Sequence, residues 1–238
     1  SPWFGRCFQH LAGSYFQARK AQMAATKAVE TTEFTVISRR IKGWTPSVIL
    51  DVGANVGQSA LGFIKAYPQA MVHCFEPFPA SYRKLLANTR GHASIMAHQI
   101  GLGAKPALLQ MSDSAISTQN RVLSDHDPET GIEVAIHQGA AVLKRLGLEH
   151  VSYLKIDTEG HDLEVLQGFA PSLGCIDFIQ VEAGMNRYNT THVPYQRLAD
   201  FMNDHGFLLF YIFEQILEFK KAGRPVLRRA NPVFINAR

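Results

Sequence analysis

Two groups of residues in this chain combine types and spacings that could do chemistry. The first is Asp51-Val52-Gly53-Ala54-Asn55-Val56-Gly57-Gln58-Ser59, which follows the apolar run Val48–Leu50. Glycines at 53 and 57 let the backbone turn sharply and come close to a ligand, since neither has a Cβ to intrude. A dinucleotide-binding turn would read Gly-x-Gly-x-x-Gly so that pyrophosphate can press on the backbone. Here Asn55 takes the second glycine position, and Asp51 ends the strand. A carboxylate there would repel a diphosphate and suit an ammonium or sulfonium. The spacing therefore points to S-adenosylmethionine (SAM) rather than NAD. The bland alternative is an ordinary strand-to-helix turn.

The second group is Asp157, Glu159, His161 and Asp162, the densest titratable cluster in the chain. Methyl transfer from a sulfonium to an alcohol needs alignment and a base for the hydroxyl proton. A histidine near its reference pKa of about 6.5, or a carboxylate raised by burial, could serve. We expect Asp157, Glu159 and His161 to be the catalytic candidates. Acids and histidines in a first helical turn can equally be complements to the helix dipole. Asp157, Glu159, His161 and Glu182 could instead hold Mg²⁺ or a transition ion, but no His-x-x-x-His spacing supports this and no metal is expected.

Glu76 stands 25 positions after Asp51, at the end of the next apolar run, and is followed by Pro77. An acid there can accept both ribose hydroxyls of an adenosine, and Pro77 fixes the chain direction after it. This serves NAD and SAM alike. Asp51, Glu76, Asp157 and Glu182 each end an expected strand, and open α/β sheets bind ligands outside the carboxyl ends of their strands.

The elements that must position these residues alternate strand and helix from Val48 on, which argues for a mostly parallel sheet with helices on both faces. Expected strands cover 48–52, 70–75, 94–100, 151–156 and 176–181. Gly101-Leu102-Gly103 breaks the third. Short strands at 107–111 and 132–136 flank a polar loop with Asp125, Asp127 and Pro128, and a helix covers about 140–146. Pro194 opens a late helix. The tail reads as strands 207–213 and 232–235 joined by a basic loop holding Lys220, Lys221, Arg224, Arg228 and Arg229, which could meet an anionic acceptor, although a solvated loop is the expectation. Before Gly43, an Ala-, Gln- and Lys-rich stretch from about Ser14 to Ile41 suits one or two amphipathic helices with a break at Thr31-Thr32. It would serve as a lid, a dimer contact or packing. We expect a helical extension over 1–46 and one catalytic domain over 47–238.

At 238 residues and 46% apolar, the chain can bury a sizeable core. A net charge of +4 and a pI near 9.0 fall short of the clustered basic face of a nucleic-acid binder. Cys7, Cys74 and Cys175 are odd in number and widely spaced, so free thiols and a reducing cytoplasm are expected. No run approaches the roughly 18 apolar residues that would span a bilayer, and no signal peptide is visible. The chain opens on Ser1 rather than Met, which would fit removal of a preceding portion.

Several segments together resemble the FkbM family of SAM-dependent methyltransferases. They are Leu50–Gly57, Phe75-Glu76-Pro77-Phe78-Pro79, the block Leu154-Lys155-Ile156-Asp157-Thr158-Glu159-Gly160-His161-Asp162 through Gly168, and Val181-Glu182, in family order. Asn231–Ile235 resembles the closing strand. The resemblance implies a seven-stranded, Rossmann-like class I methyltransferase sheet with an antiparallel last strand. It also implies O-methylation of a sugar or natural-product hydroxyl, such as a polyketide, peptide or glycan acceptor. On it, Asp51, Gly53, Ala54, Asn55, Gly57, Ser59, Glu76, Pro77, Gly101 and Asp157 would hold SAM, and Asp157 and Glu159 would lie next to the methyl group. The chain departs from the family before the Lys-Ile-Asp block, where Ile136–Ala140 replaces a Thr-Leu-Asp-Asp-like helix start. A homo-oligomer is compatible with all of this. The rival functions are an NAD-dependent oxidoreductase and a non-catalytic SAM-binding module.

Overall fold

The computed structural model describes residues 32–112, 131–219 and 224–238. The expected helix before Thr32, Cys7, the loop with Asp125, Asp127 and Pro128, and Lys220 and Lys221 lie outside them. The chain divides between Gly43 and Trp44 into two units. In the first, helix α1 (Glu33–Arg40) starts where the Thr32 hydroxyl accepts a hydrogen bond from the Thr35 N–H, and its apolar residues Phe34, Val36 and Ile37 are buried.

The second unit is built around β1 (Val48–Val52), whose apolar run pairs in parallel on both sides. One neighbour is β2 (Met71–Phe75), which in turn pairs with β3 (Ile95–His98). The helices α2 (Gln58–Ala66) and α3 (Pro79–Asn88) make the crossovers. Residues Gly101–Gly103, expected as a break, form a strand of their own, β4. With β5 (Ala107–Met111) and β6 (Ile132–Gln138) it makes a separate three-stranded sheet in the order β4-β6-β5.

Helix α4 (Gly139–Leu146) leads to β7 (Val151–Ile156), the other neighbour of β1. Then come α5 (Asp162–Phe169), a 3-10 turn over Ala170–Cys175 and β8 (Ile176–Val181), parallel to β7. A two-residue strand β9 (Ala183–Gly184) and α6 (Tyr195–Asp204) precede the long hairpin of β10 (Phe207–Phe219) and β11 (Pro225–Asn236). The large sheet runs β10-β11-β8-β7-β1-β2-β3, with β9 added on β11. Within it β11 is antiparallel to both β8 and β10. Seven strands with one reversed were expected; β9 and the second sheet were not.

Central strands with apolar residues on both faces suit a parallel sheet covered on both sides. All six residues of β7 are buried, Lys155 among them. The tail differs from the expected pair of short strands. The hairpin extends to Phe219 and back from Pro225, so Arg228 and Arg229 belong to β11 rather than to a solvated loop. Exposed Ile216, Leu217 and Phe219 break the buried-apolar rule there, since β8 pairs only with Val233–Ile235 at the base of the ribbon. Among the described residues no helix is long and apolar enough to cross a membrane. Cys74 and Cys175 are free thiols.

Candidate active site

A cavity of about 380 Å³ opens at the carboxyl ends of β1, β2 and β7. Its floor is the turn after β1. The Gly53 and Ala54 N–H groups both donate to the Phe75 carbonyl, and the Asp157 N–H donates to the Val52 carbonyl, so three strand ends are tied together. Gly53 has φ 82, and a Cβ there would overlap the Asp157 carbonyl oxygen. Both the backbone conformation and the space demand glycine.

Glu76 clamps the same turn. Its Oε2 accepts from the Asn55 N–H at 2.8 Å and its Oε1 from the Phe78 N–H at 2.9 Å. Burial pushes the Glu76 carboxyl above its ordinary range, while the two N–H donors pull it back. Asn55 (φ 48) and Glu159 (φ 53) hold left-handed backbone and both line the cavity. Such conformations collect at ligand sites because the surrounding fold must hold them there.

The opposite end is polar. Asp157 lines the cavity and accepts a hydrogen bond from the Lys155 ammonium at 3.0 Å. The same Nζ lies 3.5 Å from Asp51 Oδ1, at the outer limit of hydrogen bonding. Asp51 itself is 0% exposed and does not reach the cavity. It therefore acts through Lys155, and a direct clash between Asp51 and a diphosphate is not what the geometry provides. Burial is the main influence raising the Asp51 carboxyl, with Asp157 adding to it and Lys155 opposing. Burial works against the Lys155 charge, but Asp51 and Asp157 outweigh it and hold its pKa above the ordinary value.

Glu159 and His161 line this end as well. Burial and then Asp157 raise the Glu159 carboxyl, against the pull of His192, Arg229 and Arg228. Behind them Asp162 is fully buried. It accepts from the Thr158 hydroxyl at 3.1 Å and the Glu182 N–H at 3.2 Å, and burial with Asp157 nearby raises it to about 7.

Of the residues expected to hold SAM, Gly53, Ala54, Asn55, Ser59, Glu76, Pro77, Gly101 and Asp157 line one cavity, and Asp51 and Gly57 stand behind it. Gly57 caps α2. Lys155 and His192 escaped the sequence reading, which names Arg229 only within a basic tail loop. A lysine inside the apolar run 151–156 was a readable signal. His192 gave none. It arrives in the loop after β9, where its Nε2 sits 2.8 Å from Glu182 Oε2 and 3.8 Å from Glu159 Oε2. Arg229 pairs with the other oxygen of Glu182. Glu159, Glu182 and His192 bring ligand atoms within 4.8 Å of one another, unlike the set of four considered from sequence. The Arg229 guanidinium already neutralises Glu182 there.

The profile of the family described as Methyltransferase FkbM domain matches residues 51–209. Methyltransferase sdnD of Sordaria araneosa is 32% identical over 153 residues, covering 50% of this chain and 59% of that protein. Methyltransferase 1 of Beauveria bassiana is 29% identical over 144 residues, covering 51% and 58%. Hexuronic acid methyltransferase AglP of Haloferax volcanii is 26% identical over 147 residues, covering 60% and 59%. The chain thus spans less than two thirds of the length of these relatives. Among solved structures, the fibrillarin pre-rRNA processing protein of Methanococcus jannaschii aligns with a TM-score of 0.50 at 14% identity, covering 80% of this chain and 66% of that one. That likeness concerns the fold alone, a Rossmann-like class I methyltransferase sheet. The matched span takes in the whole cavity floor, Glu76 and the Asp157–Asp162 turn, and the chain belongs to the FkbM methyltransferase family.

Proposed function

We propose that the chain is a SAM-dependent O-methyltransferase acting on a hydroxyl of a sugar or natural product. The observation that carries this is one cavity joining the Glu76 clamp to the Asp157, Glu159 and His161 end. The residues fit SAM. Each Glu76 oxygen accepts a single N–H, which leaves acceptor capacity for a ribose hydroxyl. The glycine turn lets the backbone approach a nucleoside, and acids at the far end favour a cationic centre. Bound there, SAM would supply an electrophilic methyl on its sulfonium.

The chain's own part is to align the acceptor oxygen and remove its proton. Glu159 is the best placed for the proton, since it lines the cavity and burial makes it a stronger base than an ordinary carboxylate. His161 lines the same end and is the second candidate. A relative named for hexuronic acid and others named simply as methyltransferases are in keeping with a hydroxylated acceptor. The test is transfer of labelled methyl from SAM to a panel of sugars and hydroxylated metabolites. Label in an acid-stable ether would support the reading, and label found only on nitrogen would reject it.

A further inference from the structure

The turn that carries Glu159 runs through two successive left-handed residues, Glu159 (φ 53) and Gly160 (φ 108). Only the surrounding fold can maintain such a turn, and the loop 185–194 packs directly on it. A Cβ on Gly160 would overlap the Thr191 carbonyl oxygen. The next residue, His192, is buried and does not line the cavity. It stands behind Glu159, with Nε2 2.8 Å from Glu182 Oε2 and 3.8 Å from Glu159 Oε2.

Asn189 decides which nitrogen of that ring carries the hydrogen. Its Oδ1 accepts from the Thr191 and His192 N–H groups, both at 3.1 Å, and its Nδ2 donates to the Arg228 carbonyl at 3.1 Å. The amide is thereby oriented. Its oxygen also lies 3.1 Å from His192 Nδ1, but two N–H donors already fill its two lone pairs. The amide Nδ2, 2.9 Å from Nδ1, is the donor to the ring. Neutral His192 therefore accepts at Nδ1 and carries its hydrogen on Nε2, facing both carboxylates. Glu182 takes the direct hydrogen bond, and Glu159 lies at ion-pair rather than hydrogen-bond range.

We infer that His192 is a positioning residue for methyl transfer, its Nε2–H drawing Oε2 of Glu159 toward Glu182 and leaving Oε1 to meet the acceptor hydroxyl. This deepens the methyltransferase reading and rests on Glu159 as its base. A hydrogen directed at one carboxylate oxygen favours the ionised form, which is the form that takes up a proton. The other charges around the pair are Asp157 at the end of β7, Asp162 at the start of α5, Glu182 after β8, and Arg228 and Arg229 on β11. Burial is the main influence lowering the His192 pKa, against the pull of Glu159, Asp162 and Asp157, which keeps the ring neutral and its hydrogen on one nitrogen.

The test is an NMR titration of the full chain saturated with S-adenosylhomocysteine and labelled with ¹³C-glutamate and ¹⁵N-histidine. Loss of signals in Glu159→Gln and His192→Gln identifies the two groups. Neutral His192 should show its hydrogen on Nε2. His192→Phe should raise the titration midpoint of Glu159 by about half a pH unit or more, while His192→Gln, whose amide N–H reaches the same place, should keep it within about 0.2 of the wild type. Read from the other side, Glu159→Gln should lower the His192 midpoint by about half a pH unit or more, a result that does not depend on the loop variants folding. A hydrogen on Nδ1, a Glu159 midpoint indifferent to His192→Phe, a His192 midpoint indifferent to Glu159→Gln, or equal shifts in His192→Gln and His192→Phe would overturn the role. Failure of S-adenosylhomocysteine itself to bind would instead bring down the underlying reading of the cavity, and the role with it.

Discussion

The Lys155 ammonium donates to Asp157 Oδ2 at 3.0 Å from within a strand whose every residue is buried. A buried lysine is tolerable only with its charge paired, and here the second partner is Asp51, 3.5 Å away and fully enclosed. The arrangement sets a carboxylate at the cavity wall in a fixed orientation, with another behind it as counter-charge.

Lys155→Met should therefore do more harm than its volume suggests. Taking one partner from a buried ion pair costs about 3–5 kcal/mol because the remaining charge is stranded. Adding Asp51→Asn to Lys155→Met removes the stranded charge and should restore part of the loss. Chemical denaturation of the single and double variants checks this, and a double variant no more stable than the single contradicts it.

Gly53→Ala meets both a positive φ and the Asp157 carbonyl oxygen. The backbone conformation alone costs about 1–3 kcal/mol, which for a domain of this size is a drop of at least about 2 °C in Tm. Calorimetric melting reads it directly, and an unchanged Tm would show that the turn can shift.

Between the two candidate bases, Glu159→Gln should lower kcat by about 10²-fold or more, in the range general bases contribute. His161→Ala should lower it less. Neither should alter S-adenosylhomocysteine affinity by more than a few fold. Steady-state kinetics with any acceptor that turns over separates them, and wild-type turnover in Glu159→Gln would remove it from the mechanism.

A pH effect arises away from the site. His73 Nδ1 lies 3.1 Å from His98 Nε2, the rings stack, and burial with His98 nearby lowers the His73 pKa to about 4. Native His73 stays neutral while the unfolded chain takes up a proton below about pH 6.5, so stability falls as pH drops from there toward 4. By pH 5 the loss is at most about 2 kcal/mol. Asp162, raised to about 7, works in the opposite direction. Comparing His73→Phe with the wild type isolates the histidine, because Asp162 is common to both. The variant should lose roughly 3–6 °C less in Tm between pH 7 and pH 5; equal losses would rule the histidine out as the cause.

Much of the site was legible in the sequence because its parts are local. Asp51 to Ser59 encodes a strand end, a turn and a helix start within nine residues, and Glu76 follows one crossover later. What escaped depends on distant chain segments. Gly101–Gly103 looks like a break until β6 supplies its pairing partner. His192 reaches Glu159 only because the loop after β9 packs on Gly160. Arg229 sits opposite Glu182 because the hairpin continues well past the base on which β8 pairs, through exposed apolar residues whose pattern resembles neither a core strand nor a loop. Asp51, expected as the acid ending β1, stands one residue before its end at Val52. That it faces a lysine rather than the cavity follows from the register that sets it opposite Lys155.

The central claim is that the cavity between Glu76 and Asp157 holds SAM, and calorimetric titration with S-adenosylhomocysteine and NAD, side by side, tests it most directly. The account predicts binding of S-adenosylhomocysteine, none of NAD, and at least a tenfold loss of affinity in Glu76→Ala, equal to about 1.4 kcal/mol. Binding of NAD alone, or S-adenosylhomocysteine affinity unchanged in Glu76→Ala, would contradict it.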